Sequence, residues 1–335
     1  MQCFSPLIAF RKKDGGITFS PSLGKGDYQQ FQLGAESMVL PCGQCLGCRL
    51  KRSQEWATRV VHEAQMHDDQ NAFITLTYQE APDGLVKQHF TAFMKKLRKS
   101  VYPKKIRFFM CGEYGKVYPN NDYSSPPLPH PFSDAREALG RPHYHAIIFG
   151  HDFGMNHPEK KGLEVHSVKR GHTLYRCEKL EKLWKHGFVT VGTVTHESAA
   201  YVARYCVKKI NGEAADEYYI RVNEKGIPHK VIPEYINMSR RPGIGETWFE
   251  KYQPGEFGDV FPRDELVVTG GKRVPVPKYY VNLYKERHPE AYERVQARRI
   301  EKAKKKLEEN LPERLRARRL VTEAKVSQLK RGLSE

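Results

Sequence analysis

The chain has 335 residues, with 56 Lys and Arg against 39 Asp and Glu and a formal net charge of +17. That length holds one catalytic domain with appendages, or two domains, and the positive excess favours a polyanionic partner, either nucleic acid or an anionic membrane surface. No apolar run approaches the roughly 18–20 residues of a membrane span, and the first residues lack a signal-peptide core. Nucleic acid is therefore favoured, and the seven cysteines are expected reduced or metal-bound rather than paired.

From residue 1 to 40, Gly and Pro turn signals alternate with short apolar pieces. Cys42, Cys45 and Cys48 then recur at C-x2-C-x2-C spacing, and Cys3 supplies a fourth thiolate. Four thiolates make a closed zinc site that pins a segment too small to hold itself by burial; an iron–sulfur cluster or unliganded thiols are the alternatives. Residues 50–67 carry Leu50, Ala57, Val60, Val61 and Ala64 at helical spacing with Trp56 beside them. On that helix Lys51, Arg52 and Arg59 face either DNA phosphates or solvent. Residues 73–78 are β-branched and aromatic, hence a strand. A Pro-Asp-Gly turn at 82–84 leads to a helix over 86–99, whose buried stripe is Val86, Phe90, Phe93, Met94 and Leu97. Strands are expected over 106–113 and 144–149, separated by a Pro- and Ser-rich surface loop at 119–131. Beyond Gly150 comes a polar stretch, then a short helix over 178–186 and a strand over 188–194.

Thr195 is a helix cap and Glu197 lies in the first turn, so a helix starts near His196. On it Tyr201 and Tyr205 are four residues apart, which stacks them on one face with Cβ atoms about 5–6 Å apart. Lys208 follows on much the same side. The pair is either a packing stripe or two phenols aimed at one place. Upstream, His143 and His145 share one face of their strand about 6–7 Å apart, placed to share a divalent ion or to stand as two polar residues on a solvated face.

From residue 73 the elements run strand, helix, strand, strand, helix, strand. That order is a ferredoxin-like split motif, an α+β fold with an antiparallel sheet and helices on one face. After Lys209, residues 218–222 and 230–233 read as strands flanking a turn at 223–226. Residues 239–245 have glycines that bring backbone close to a phosphate, with Arg240 and Arg241 as charge, or form a plain turn. Residues 289–329 form two charged helices interrupted by Pro312, or a partly disordered tail. Four regions result: a cysteine-rich extension with its helix (1–68), the core (69–212), an irregular extension with the Arg-Arg-Pro-Gly loop (213–280) and a charged helical tail (281–335).

A His-x-His strand followed by a helix with paired tyrosines and a nearby Lys resembles the HUH endonucleases that start rolling-circle DNA replication. The form is most similar to the replication initiation proteins of the Microviridae, the small single-stranded DNA phages, and especially their gokushovirus-like group. The cysteine run at 41–49, the strand at 73–78, Gly-Glu-Tyr-Gly at 112–115, both pairs and the 239–245 run carry the resemblance. It implies an HUH core with an RRM-like sheet, Glu113 as third metal ligand beside His143 and His145, and Mg²⁺ or Mn²⁺ as the ion. It further implies that Tyr201 or Tyr205 cleaves the origin strand and keeps its 5′ phosphate, the second tyrosine completing the round, with Lys208 assisting the phosphate or the proton traffic. Candidate DNA-phosphate contacts are Arg52, Arg59, Lys209, Arg240 and Arg241. The implied partners are single-stranded and double-stranded origin DNA and the host helicase and replication machinery, with no membrane, in the cytoplasm of an infected bacterium. The chain carries no P-loop motif of its own. The rival classes are a non-catalytic single-strand binder with an RRM-like sheet, a zinc-organised scaffold, and, among enzymes, a plasmid-type initiator, a relaxase or a single-tyrosine transposase.

Overall fold

A computed structural model describes residues 3–11, 16–19, 37–117, 129–130, 133–137, 139–169, 171–204, 214–223, 225–261, 263–268, 271–305 and 308–328. Its contacts divide the chain into two compact units, residues 1–52 with 293–332 and residues 53–292. In the first unit β1 (Leu7–Arg11), β2 (Ile17–Phe19) and β3 (Ser37–Leu40) form an antiparallel sheet in the order β2-β1-β3. The strands of the second unit are β4 (Asn71–Leu76), β5 (Arg107–Lys116), β6 (Pro129–His130), β7 (Ser133–Glu137), β8 (Leu139–Phe149), β9 (Leu163–Lys169), β10 (His172–Cys177), β11 (Val189–Gly192), β12 (Ile220–Val222), β13 (Pro228–Lys230), β14 (Tyr235–Met238), β15 (Glu265–Val268) and β16 (Lys272–Pro275). Nine helices accompany them among the described residues: α1 (Leu46–Ala64), α2 (Lys87–Ser100), α3 (Glu178–Trp184), α4 (His196–Arg204), α5 (Ala214–Tyr218), α6 (Glu246–Tyr252), α7 (Lys278–Arg287), α8 (Pro289–Lys304) and α9 (Pro312–Ser327). The protein is thus of mixed α+β class. Among the described residues no helix is long and apolar enough to cross a membrane.

The centre of the second unit is a seven-stranded antiparallel sheet in the order β14-β5-β8-β4-β11-β10-β9. Within it the chain runs β4-α2-β5-β8-α3-β11, and those four strands lie side by side as β11-β4-β8-β5, the fourth, first, third and second along the chain. Both faces of this central group are covered. Ala72, Ile74, Leu76, Met110, Ala146 and Ile148 pack against Phe90, Phe93, Met94 and Leu97 of α2 and Leu180 and Trp184 of α3. Phe73, Phe109, Cys111, Ile147 and Phe149 project from the opposite face because side chains alternate along a strand. There they meet Val60 of α1, Ala199, Tyr201 and Val202 of α4, and Ile244. Double-sided burial gives β4 and β8 their near-continuous apolar runs, and truncating one such ring to Ala is expected to cost about 3–5 kcal/mol.

Several boundaries differ from those the sequence predicts. The His-pair strand begins at Leu139 rather than 144, because Gly112↔Tyr144, Glu113↔His143 and Tyr114↔Pro142 continue its ladder with β5. The stretch after Gly150 is no mere polar connection: β9 and β10 form a hairpin that widens the sheet beyond β11. Its far strand is an edge, with Val165 and Val168 exposed, so it lacks the apolar alternation that marks a half-buried strand. Helix α1 starts at Leu46, four residues before the expected position, and takes Cys48 into its first turn. The surface loop at 119–131 lies outside the described residues except for Pro129–His130. Pro312 opens α9 in its first turn, where a missing N–H costs nothing.

Candidate functional site

The register of three adjacent strands assembles the site. Glu113 on β5 stands directly opposite His143 on β8, and His145 two residues on is opposite Thr75 on β4. All four project from the face covered by α1 and α4. Glu113 and His145 are almost fully enclosed, at 2% and 1% of side-chain exposure, while His143 keeps 19%. Glu113 Oε1 lies 2.9 Å from Nε2 of His143 and 2.9 Å from Nε2 of His145. The three ligand-capable atoms fall within 4.8 Å of one another.

Hydrogen bonds behind the rings fix their orientation. His143 Nδ1 sits 3.1 Å from the backbone oxygen of Arg141, and because a carbonyl only accepts, that nitrogen carries a proton. In the neutral ring its Nε2 therefore presents a lone pair to a carboxylate oxygen that also only accepts. Two acceptors hold a 2.9 Å contact only with a cation to join them, either a proton on the ring or a metal ion. His145 is held in the same manner by the Thr75 hydroxyl, 2.9 Å from its Nδ1. Imidazoles braced through the rear nitrogen and converging on a carboxylate are a pattern of metal ligation, and the nitrogen and oxygen donors suit Mg²⁺ or Mn²⁺, with Mn²⁺ tolerating imidazole better.

Tyr201 closes the site from above. Thr195 caps α4 by accepting from the Ser198 N–H at 3.2 Å while Ser198 Oγ accepts from the Thr195 N–H at 2.8 Å, which starts the helix at His196 as the sequence predicts. The second turn then carries Tyr201, 5% exposed, over the sheet. Its ring meets His145 edge-on at 5.0 Å and Phe73 at 6.0 Å. Its Oη lies 3.4 Å from His145 Nε2. Tyr205, Lys208 and Lys209 lie outside the described residues.

The other expected residues are dispersed. Arg52 is exposed and donates to the Gly43 carbonyl at 3.4 Å. Arg59 is stacked between Trp56 at 4.2 Å and Tyr279 at 4.0 Å and donates to the Ile244 carbonyl, so its charge braces the 239–245 loop. The same loop is tied by Gly245 N–H donating to buried Glu63 at 2.7 Å and by Arg107, which joins Glu63 to the Pro242 carbonyl. Burial raises the Glu63 pKa, but His67, the Gly245 N–H and Arg107 outweigh it and hold the carboxyl below its ordinary range. Anchored this way, the loop leaves Arg240 and Arg241 exposed. Cys3, Cys42, Cys45 and Cys48 come together in the first unit with their sulfurs within 4.8 Å.

Sequence reasoning missed two neighbours of the site. Thr75 was legible only as a polar residue at an odd position in an apolar strand, on the face where Phe73 points inward. Arg204 places its guanidinium 6.0 Å from the Tyr201 ring, and its spacing of three from Tyr201 on a helix was the available signal.

An enclosed carboxylate and two braced imidazoles under a buried phenol, on an antiparallel sheet, define an α+β protein with a metal-competent centre. The replication-associated protein ORF2 family matches residues 71–121 and 135–210, a span from β4 past α4 that holds the whole centre. Replication-associated protein VP4 of Bdellovibrio phage phiMH2K is 30% identical over 303 residues, 87% of this chain and 80% of the relative. Replication-associated protein ORF2 of Spiroplasma virus 4 is 28% identical over 295 residues, 84% of this chain and 79% of the relative. Replication-associated protein ORF4 of Chlamydia phage 1 is 34% identical over 257 residues, 75% of this chain and 54% of the relative. The chain belongs to this family of replication-associated proteins of small phages of the Microviridae. No solved structure matches it.

Proposed function

We propose that the protein initiates rolling-circle replication by nicking and rejoining single-stranded origin DNA through a 5′-phosphotyrosine ester, an HUH endonuclease reaction. The observation that carries this reading is the 3.4 Å between Tyr201 Oη and a His145 nitrogen that itself contacts Glu113, which sets a nucleophile at a metal-competent cluster. The strand order β11-β4-β8-β5 supports the ferredoxin-like core that the reaction is expected to use.

Glu113, His143 and His145 would hold the ion. Bound there, Mg²⁺ or Mn²⁺ supplies a Lewis acid that polarises the scissile phosphate, which a phenol of ordinary pKa near 10 needs in order to attack at neutral pH. In the chain's own chemistry, a new bond forms from Tyr201 Oη to phosphorus and the bond from phosphorus to the 3′ oxygen breaks. The phenol loses its proton and the 3′ oxygen gains one. The ester conserves the bond energy, so reversal by a 3′-OH joins strands without ATP. Tyr205 is assigned the second cleavage, and Lys208 the phosphate contact or the proton traffic. Exposed Arg240 and Arg241, with Arg52 and Lys209, are assigned to phosphates, whereas Arg59 is engaged inside the fold. Unwinding is assigned to a host helicase, in the cytoplasm of the infected bacterium.

A non-catalytic binder of the RRM type reads bases by stacking them on an open sheet face. Here α2 and α3 cover one face of the central strands and α1 and α4 the other, which favours the enzyme. The test is incubation of the full chain with an origin-bearing single-stranded oligonucleotide and Mn²⁺, followed by a denaturing gel. A shifted, protease-sensitive protein–DNA band that depends on the metal is expected. DNA binding without any covalent band under these conditions would return the protein to the binding class.

A further inference from the structure

The geometry points to a structural zinc site in the N-terminal unit, made of the thiolates of Cys3, Cys42, Cys45 and Cys48 and separate from the nicking centre. The sulfurs of Cys3 and Cys42 are 3.6 Å apart and those of Cys3 and Cys45 3.8 Å. A tetrahedron with zinc–sulfur bonds of about 2.3 Å has edges of about 3.8 Å, so these separations are those of ligands around a single ion. They are far longer than the roughly 2.05 Å of a disulfide, and all four thiols are free. A multi-iron cluster stands between its thiolates and needs them farther apart than one ion does.

The surrounding backbone is arranged for thiolates. Phe4 N–H donates to Cys45 Sγ, Cys42 N–H to Cys3 Sγ and Cys45 N–H to Cys42 Sγ, each at 3.3 Å. Hydrogen bonds to ionised acceptors are the strong ones, and three main-chain donors turned onto sulfur in a short segment have no apolar packing role. Gly43, at φ +74°, allows the tight turn that brings the Cys45 N–H back onto the Cys42 sulfur, a conformation costly for a residue with a Cβ. The pairing of Leu7 with Leu40 carries Cys3 to the level of Cys42, and Cys48 enters from the first turn of α1.

This unit also needs such a clamp. Among its described residues the buried apolar side chains are Cys3, Ala9, Phe10, Val295 and Leu315. A core of that size is too small to offset the conformational entropy of ordering the segment, whereas metal binding supplies folding free energy directly and releases the thiol protons to solvent. With four protein ligands the ion has no open position, so its role is to hold the three-stranded sheet to the start of α1 rather than to do chemistry.

The test uses the full chain purified without a metal-binding tag. Elemental analysis is expected to find about one zinc per chain, and Co²⁺ added to chelated protein is expected to give the intense thiolate-to-cobalt absorption of a tetrahedral sulfur site. That absorption should persist in His143→Ala/His145→Ala and vanish in Cys42→Ser/Cys45→Ser. Chelation should open residues near the N-terminus to thiol alkylation. Because the wild-type measurements need no variant to fold, they decide alone: protein without zinc and without the cobalt band overturns the site, and iron with inorganic sulfide overturns its assignment to zinc. Loss of nicking activity with the zinc site intact would count against the proposed function only.

Discussion

Thr75→Val isolates the bracing of the metal-competent cluster from the cluster itself. The Thr75 hydroxyl is 2.9 Å from His145 Nδ1, and with His145 at 1% exposure no water has room to replace it. Val matches Thr in shape, so the ring keeps its packing and loses one partner. Leaving a buried polar group unpaired costs about 1–3 kcal/mol, or roughly 5- to 150-fold in an equilibrium constant, and losing an outer hydrogen bond to a metal-ligating imidazole typically costs 10–100-fold in affinity. The assay is the nicking rate of an origin oligonucleotide titrated with Mn²⁺. The half-maximal Mn²⁺ concentration should rise about 10–100-fold, with most of the maximal rate recovered at saturation. Thr75→Ser, which keeps the hydroxyl, should stay near wild type. A folded Thr75→Val protein with an unchanged Mn²⁺ midpoint would refute the bracing role.

His143→Ala plus His145→Ala should abolish cleavage yet keep most of the affinity for single-stranded DNA and its salt dependence, measured by fluorescence anisotropy, because phosphate contacts are spread over many cations; residual cleavage at wild-type rate contradicts the centre. His62 gives a pH prediction. Burial pushes its pKa down to about 3, and it is held between a stacked Trp248 at 3.5 Å and the Tyr280 hydroxyl at 3.0 Å. From about pH 6.5 down to about 3 the unfolded chain binds a proton that the folded chain refuses, so stability is full above that window and falls as pH drops through it, by at most about 1.4 kcal/mol per unit. Urea denaturation should show a shallower loss between pH 7 and 5 in His62→Gln than in wild type, and equal slopes would contradict the assignment.

The central strands and helices were legible because both of their periodicities survive burial: Phe90, Phe93, Met94 and Leu97 mark α2, and alternation marks β4 and β8. The metal-competent cluster was legible in part. His143 and His145 share a face by simple alternation, but Glu113 came from family resemblance, since nothing in residues 106–113 says which position of that strand will stand opposite His143; the register decides it. The β9–β10 hairpin was missed because an edge strand with exposed valines has no stripe to read. Arg59 reads as a surface cation in sequence, and only the approach of Tyr279 from 220 residues farther along encloses it. Long-range partners of this kind leave no local signal.

The claim at the centre is that a tyrosine of α4 is the nucleophile. Tyr201→Phe and Tyr205→Phe are each expected to retain some cleavage and the double variant none, with Phe preserving the ring packing. The most direct measurement is mass spectrometry of the covalent adduct formed by wild-type protein on an origin oligonucleotide with Mn²⁺. A nucleotide phosphate on Tyr201 or Tyr205 is the predicted result; an adduct on any other residue, or one formed undiminished by the double Phe variant, would contradict it.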